Sequence, residues 1–565
     1  NPGEPLLQSA DIDVVTPPEK DDRERATLGE TLEHLTGVHS IGAGPQAGKP
    51  VIRGLSGNRI RILSDGIGVD HQQFGTRHSP NIDPFLSGRI EVVRGASSLM
   101  YGSGALGGAI EVKPLPITFA EPGEARIHGE GLSGYSSNNN QKDFGVKAFG
   151  EGSTWSVSAG IIDHSAGNIT TPDDPVFFPP PPSPEKQDEP AYTGELDFTD
   201  YDQTNAQFGV GHRSSIGDFF VRYTGWRNEH NFLLPPPAGN KPPGQGPEGV
   251  GQNLENDEVQ FSAVLDSGDG WVFEPTLSWQ NNLRQSNAAG TPRKQLFDGA
   301  IDVEFEQYTG RLEASHQALG PFDSGTLGVE LMERDQESRG TTQLTPGGRV
   351  QNAAVFAFEE RTIGDLTLQA GIRHDWHETV GDEGKTRAQT RFSGRDRNQY
   401  RIASGSFGGT YSLTPNLAVA TNVASGFRAP TLFELYADGV HGGVAAVQQG
   451  NEDLEEEQSV NVDLALRWQS RRLSASATVY RNRIDDYIYQ QDTGNQAPNG
   501  LPVFAYRQDN ATLEGVELEV RGQVTPVLEL GASYSAVDSE NRATGEELPL
   551  QPADELREKK KKKAP

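Results

Sequence analysis

The stretch "LTLQAGIRHDW", residues 366–376, puts Leu366, Leu368, Ala370, Ile372, His374 and Trp376 in one row and Thr367, Gln369, Gly371, Arg373 and Asp375 in the other. Successive side chains of a strand point to opposite faces, so this is the pattern of a strand with one apolar and one polar side. "VDLALRW" (462–468) repeats it, with Val462, Leu464, Leu466 and Trp468 against Asp463, Ala465 and Arg467. "WSVSAGI" (155–161) and "WVFEPTLSW" (271–279) do the same, and each apolar row carries tryptophan at one or both ends. A soluble sandwich also alternates, but it has little reason to place tryptophan at the limits of its apolar row. A membrane barrel does, because its outer face is an apolar band bounded by aromatic girdles and its inner face is polar. On this pattern alone a large soluble β-protein remains the competing reading.

Composition narrows the choice. The 565 residues include no cysteine, 66 glycines and 37 prolines, with a formal net charge of −30. Without cysteine there is no disulfide framework and no thiolate site, so any metal must be held by His, Asp, Glu or backbone oxygen. The acidic balance argues against a nucleic-acid partner, which selects clustered Lys and Arg. No stretch approaches the roughly 18–20 continuous apolar residues of a membrane helix. The opening "NPGEPLLQSADIDVV" lacks a basic region followed by an apolar run, so a signal peptide, had one existed, is read as removed. Between the alternating segments, the Pro-, Gly- and acid-rich inserts from Thr171 and from Leu233 cannot fill a core and read as exposed loops. Short turns alternating with long loops are the habit of an outer-membrane barrel, with the long loops outside.

The first 115 or so residues differ. "TLGETLEHLTGV" (27–38) has Leu28, Leu32 and Leu35 at helical spacing, followed by the short strands "PVIRGL", "NRIRILSDG" and "RIEVVRG". This reads as a small α/β unit ahead of the barrel. Within it, "YGSGALGGAIEVKP" (101–114) contains Gly102-x-Gly104-x-x-Gly107, a literal match to the dinucleotide fingerprint. That fingerprint works only where its glycines lead into a helix whose free N–H groups meet the pyrophosphate. Here the following residues read as a strand closed by proline, so the glycines are structural. No spacing of nucleophile and base suggests an enzyme.

Taken together, the residues resemble the TonB-dependent outer-membrane receptors. "KPVIRGLSGNRIRILSDGIGVD" (49–70) and "NIDPFLSGRIEVVRGASSLMYGSGALGGAIEV" (81–112) are similar to the family's plug domain. "SGFRAPTLFELYADGVHGG" (425–443), "GNEDLEEEQSVNVDLALRW" (450–468) and "ATVYRNRIDDYIY" (477–489) are similar to its barrel signatures. The resemblance implies a mainly β fold: an antiparallel transmembrane β-barrel of about 22 strands with an N-terminal α/β plug in its lumen. It divides the chain into a flexible coupling segment (1–20), a plug (21–116) and a barrel (117–565). The C-terminal "GASYSAVDSENRATGEELPLQPADELREKKKKKAP" runs from a strand into an acidic loop and five lysines. About four C-terminal strands therefore look to be missing, on the strand spacing of such barrels, unless the sheet closes with fewer.

The resemblance also implies a function and its residues. It implies energy-coupled transport of a metal ion or metal chelate, gated by the plug, at the bacterial outer membrane. Energy would come from TonB, a periplasmic partner gripping an extended segment; Asp11, Ile12, Asp13, Val14, Val15, Thr16 and Pro17 have that character, suited to strand addition on a sheet edge. Arg53 and Arg94 correspond to arginines that anchor the plug to wall carboxylates, for which Glu360 and Glu457 are candidates. The plug apex "VDHQQFGTRHSPNID" offers Asp70, His71, Gln72, Gln73, Arg77 and His78 to an extracellular small ligand, with His230 and His441 expected in or near loops. Imidazoles and a carboxylate suit zinc or copper; the layout is closest to zinc-receptor members, but their His-rich loop is absent. A chelated ligand, such as iron bound to a siderophore, would instead be held by arginines, amides and aromatics. No cofactor is required beyond such a transported metal. The alternatives are a structural or adhesive outer-membrane barrel, or a receptor for cobalamin or a carbohydrate.

Overall fold

The structure, a computed structural model, describes residues 9–16, 27–42, 44, 46–69, 79–170, 195–233, 249–288, 290–342, 344–382, 397–441, 446–498 and 500–562, with side chains to 558. The N-terminal unit is built on a five-stranded sheet in the order β1–β7–β8–β5–β6 and a three-stranded sheet β2–β3–β4. These strands are β1 (Asp11–Val15), β2 (Val38–Ile41), β3 (Lys49–Ile52), β4 (Leu55–Ser56), β5 (Ile60–Ser64), β6 (Ile67–Gly68), β7 (Ser87–Arg94) and β8 (Gly108–Pro114). The expected helix is present but shorter than the spacing through Leu35 suggests, as α1 (Leu28–Leu32), where the Thr27 hydroxyl accepts the Glu30 N–H and so satisfies an otherwise orphaned donor. Its Leu28 and Leu32 join Ile52, Ile60, Ile62, Ile90, Val92 and Ile110 in one buried core.

The glycine-rich stretch connects the short helix α2 (Ser98–Tyr101) to β8, with no helix after it. Gly107 and Gly108 are required by close approach. A Cβ on Gly107 would lie 2.7 Å from the Leu55 Cβ, and one on Gly108 would lie 2.3 Å from the Val93 carbonyl oxygen. The motif is a packing device between strands.

From Ala125 onward the chain forms a closed antiparallel barrel whose sheet counts twenty strands, eighteen of them in the wall, beginning with Ala125–Ser136 and ending with Glu555–Lys562. One short pair, Asp438–His441 and Ala446–Gln449, branches from the wall, so that Leu417–Arg428 pairs directly with Glu457–Gln469. The closed sheet has fewer strands than the expected 22 or so, and the lysine run belongs to its last strand: Leu528 faces Lys562 and Ser535 faces Glu555. Pairing depends on backbone groups, and an open edge in lipid would cost several kcal/mol for each unsatisfied group.

The alternating rows point as a lipid-embedded wall requires. Ile372 is 71% exposed on the outside, while the neighbouring Arg373 and Asp375 are 2% and 0% exposed on the inside. Val462, Leu464, Leu466 and Trp468 likewise face out, and Asp463 faces in. A charge placed on this outer row must be stripped of water. Leu464→Arg should therefore destabilise the barrel by roughly 2–4 kcal/mol if the residue lies near the bilayer midplane. Urea unfolding in lipid vesicles measures this; on a soluble surface the same change would stay within about 0.5 kcal/mol.

One rim of the barrel carries only tight connections among the described residues, such as those at 215–216, 267–270, 320–321, 364–365 and 415–416. The long connections leave the other rim, which sets the first as periplasmic and the second as extracellular. Most of the residues of the inserts expected as loops, 171–194 and 234–248, lie outside the described residues.

Candidate functional site

The N-terminal unit fills the bore and meets the wall through apolar clusters, such as Phe85, Leu86 and Leu115 on Phe149 and Ile162, and through buried ion pairs. Arg53 is the most heavily bonded. Its Nε and Nη2 donate to the two carboxylate oxygens of Glu517 at 3.0 and 2.7 Å, Nη1 donates to Asp463 at 2.6 Å, and Nη2 also reaches Asp11 at 3.1 Å. The Tyr480 ring covers the guanidinium at 4.1 Å. Arg94 bonds Asp13 and the Thr36 carbonyl, and lies 3.5 Å from Asp11 and 3.9 Å from Glu517. The wall carboxylates are thus Asp463 and Glu517. The expected Glu360 and Glu457 serve elsewhere: Glu360 accepts from Gln369, and Glu457 from Arg59 and Arg428. Sequence offset alone does not say which inward residue reaches a given arginine, because that depends on the tilt and stagger of the strands.

The segment Asp11–Val15, expected within a flexible stretch, forms the edge strand β1, paired antiparallel to β7 with Asp11 opposite Arg94 and Val15 opposite Ile90. It enters from the periplasmic half. Ser9 bonds Gln369, close to the tight connection at 364–365, and the Ala10 carbonyl accepts from Arg467. Thr16 follows the strand, and Pro17 lies outside the described residues. Burial pushes the Asp11 carboxyl up, and the Arg94 and Arg53 guanidiniums more than offset this, holding it below the usual carboxylate range. Its contribution is therefore present at neutral pH and lost as pH falls through that lowered value. Asp11 and Asp13 thus share the two arginines with the wall: four carboxylates meet two guanidiniums at one point.

Two further bridges cross the gap. Arg59 grips Glu457 through Nε and Nη2, stacks on Tyr487 at 3.7 Å and donates to the Ile488 carbonyl. Glu457 also accepts from Arg428 Nε at 2.9 Å, and Arg428 Nη1 donates to Glu434 at 2.7 Å. Glu434 in turn closes a capping box with Thr431 at the start of α3 (Leu432–Tyr436). On the opposite side Asp83 accepts from Gln203, Asn205 and the Phe85 N–H, and lies 2.9 Å from His164 Nε2. The other ring nitrogen of His164 lies 2.7 Å from Asp143. Of these two clusters the sequence points to Glu457 alone; Arg59 and Arg428 sit inside the quoted motifs, while His164 carries no local signal.

Of the ligand candidates, Asp70, His71, Gln72, Gln73, Arg77 and His78 lie outside the described residues. His230, expected near a loop, is buried within the strand Gly217–Leu233 with Nδ1 against Asn228. His441 ends the short strand Asp438–His441, with Nδ1 2.8 Å from Gln448. The His230 imidazole is held by an amide because inward positions of a filled barrel must satisfy one another, and His441 is held by one within its own short hairpin. Among the described residues no group of three or more His, Asp or Glu is placed to hold a metal ion. What the extracellular half does offer is a cavity of about 110 Å³ between plug and wall, lined by Asn58 and Arg61 of the plug and by Phe305, Arg334, Gln336 and Asn352 of the wall, among others.

Residues 133–557 match the family profile described as TonB dependent receptor-like, beta-barrel, and residues 6–109 match the TonB-dependent Receptor Plug Domain. The vitamin B12 transporter BtuB of Photobacterium profundum is 24% identical over 543 residues, covering 95% of this chain and 77% of that protein. The ferric enterobactin receptor of Pseudomonas aeruginosa is 23% identical over 633 residues, covering 98% and 78%. Among solved structures, the copper transporter OprC superposes with a TM-score of 0.78 at 16% identity, covering 97% of this chain and 81% of that one. A plug seated in a closed wall, and two profiles that together span most of the sequence, make this chain a member of the TonB-dependent receptors, outer-membrane transport proteins and not enzymes.

Proposed function

We propose that this receptor imports a metal chelate, drawing on TonB through the segment Asp11–Pro17. The observation that carries the reading is the placement of β1. An edge strand that enters from the periplasmic half and shares its two carboxylates with Arg53 and Arg94 joins the coupling segment to the plug's anchor on the wall. A periplasmic partner that captures the strand on its own sheet edge would remove Asp11 and Asp13 from the arginines in the same motion. Arg53 and Arg94 would then be left with Asp463 and Glu517, a balanced set, so withdrawal need not strand a buried charge.

A chelate is favoured over a bare ion by the cavity on the extracellular half. Its arginines, amides and Phe305 suit the anionic and aromatic edge of a complexed metal, of which a cavity of about 110 Å³ holds a part. The ferric enterobactin and vitamin B12 receptors named above are relatives whose cargoes are metal complexes.

The test is uptake in cells lacking their own receptors, supplied separately with ferric enterobactin, hemin, cobalamin, copper or zinc. One of the complexes should accumulate in an energy-dependent way. Deleting residues 11–17 should abolish accumulation while surface binding of that complex persists. An adhesive or structural barrel would be indifferent to the deletion.

A further inference from the structure

Two cavities lie on the same side of the plug, one above the other. The upper one, of about 110 Å³, borders Gln307, Thr309 and Glu330 in the extracellular half of the wall. The lower one, of about 410 Å³, borders Ser262, Glu274 and Glu313 in the periplasmic half. Gly66 lines both. Between them stands the turn that joins β5 to β6. Ser64 pairs with Ile67, so Asp65 and Gly66 are the two central residues, with φ of 49° and 83°. Both angles are left-handed, the signature of a two-residue type I′ hairpin, which suits Asp-Gly.

This turn is tethered by polar groups. Asp65 pairs with Arg222 at 3.0 Å and Lys113 at 3.2 Å, and its carbonyl accepts from Gln260 at 3.1 Å. The Gly66 carbonyl accepts from Arg311 at 3.4 Å, and the Gly66 N–H donates to Glu111 at 2.9 Å. Arg311 also reaches the Met100 carbonyl and Glu313, so one wall side chain ties the turn to the rest of the plug. Beside the strand Tyr201–Ser214 the gap narrows to about 30 Å³ and nearby Asp83 bonds Asn205 directly. The open space beside the plug thus widens from about 30 Å³ next to Ser64 to about 410 Å³ past the turn. Charged tethers can exchange partners with water as the turn moves, which an apolar contact cannot do.

We propose that cargo crosses beside the plug through these two chambers, and that the Asp65–Gly66 turn is the gate between them; this rests on the transport reading above. At about 110 Å³ the upper chamber cannot take a whole chelate while the turn is seated, so the chelate crosses only as the turn moves, and small ions follow the same opening. The lower chamber sets five carboxylates, Asp65, Glu91, Glu111, Glu274 and Glu313, against three cations, Lys113, Arg222 and Arg311, so the small-ion current through it prefers cations.

The test uses potassium ions as the probe and the whole chain in a planar lipid bilayer bathed in KCl. The parent protein should stay closed, whereas the double variant Asp65→Ala/Arg311→Ala should show cation-selective conductance steps. The chain has no cysteine, so single thiols map the route in that background. A charged methanethiosulfonate reagent should block current at Gln307→Cys from the extracellular side and at Ser262→Cys from the periplasmic side. It should leave current unchanged at Thr478→Cys, in the strand Leu473–Gln496 on the far side of the wall. A folded double variant that stays closed, or one whose current survives both modifications, overturns the proposal. If the double variant does not fold, as judged by heat-modifiable migration on a gel, Asp65→Asn/Arg311→Gln keeps side-chain size and the same outcomes apply. Current through both chambers in a protein that accumulates no cargo would sink the transport reading and leave the passage standing; the converse would sink only the passage.

Discussion

Replacing Arg53 by alanine should cost roughly 3–5 kcal/mol and loosen the plug from the wall, because breaking a buried ion pair strands its partners. The arginine is 4% exposed and holds Glu517, Asp463 and Asp11 together. Without it three carboxylates crowd one site, with Arg94 as the remaining guanidinium among them. All six tryptophans belong to the barrel strands, so tryptophan fluorescence will not report the loss directly. Hydrogen exchange of β3, β5 and β7 will: protection in these strands should fall while the wall strands keep theirs. Arg53→Lys should fall between, since an ammonium keeps the charge but cannot match the fork on Glu517. Unchanged protection in Arg53→Ala would mean that the plug is held by its other bridges alone.

A comparably large effect is expected for Glu457→Gln. This carboxylate is 0% exposed and accepts from Arg59, from Arg428 and from the Ile488 N–H. Neutralising it leaves Arg428 with Glu434 and Arg59 with a carbonyl and the Tyr487 face. The cost should again be roughly 3–5 kcal/mol, read as a lower temperature for the gel-mobility transition of the folded barrel. The discriminating measurement is a cycle with Arg59→Met. If the penalty comes from stranded charge, Glu457→Leu/Arg59→Met should cost less than the sum of its single variants. Additive losses would mean that the two residues act independently.

These expectations separate what could be read along the chain from what could not. The polar row of "VDLALRW" already marked Asp463 as facing the lumen, since its neighbours Val462 and Leu464 had to face lipid. The same reasoning applies to "GVELEV", where Glu517 lies between Val516 and Leu518. Yet the pattern does not distinguish Asp463 and Glu517 from Glu360 and Glu457 as partners of Arg53, because several inward carboxylates satisfy it equally. His230 shows a related difficulty. A histidine near a Pro- and Gly-rich insert reads as a loop residue, whereas the strand extends to Leu233 before the insert begins. Strand ends are set by pairing with neighbours, which local composition does not record.

By itself the sequence determined the lipid-facing barrel, the α/β plug, the structural role of the Gly102–Gly108 run and the extended character of Asp11–Val15. Each follows from side-chain period, turn chemistry or composition, all of which act over a few residues. The tertiary structure alone decided that the wall has eighteen strands with a short pair branching from it, that β1 lies in the plug sheet, and that Asp11 and Asp13 share Arg53 and Arg94 with Asp463 and Glu517. It alone set two cavities against one turn. Those features join residues up to several hundred positions apart, and their geometry comes from strand stagger around a closed cylinder and from how a filled lumen satisfies its buried charges.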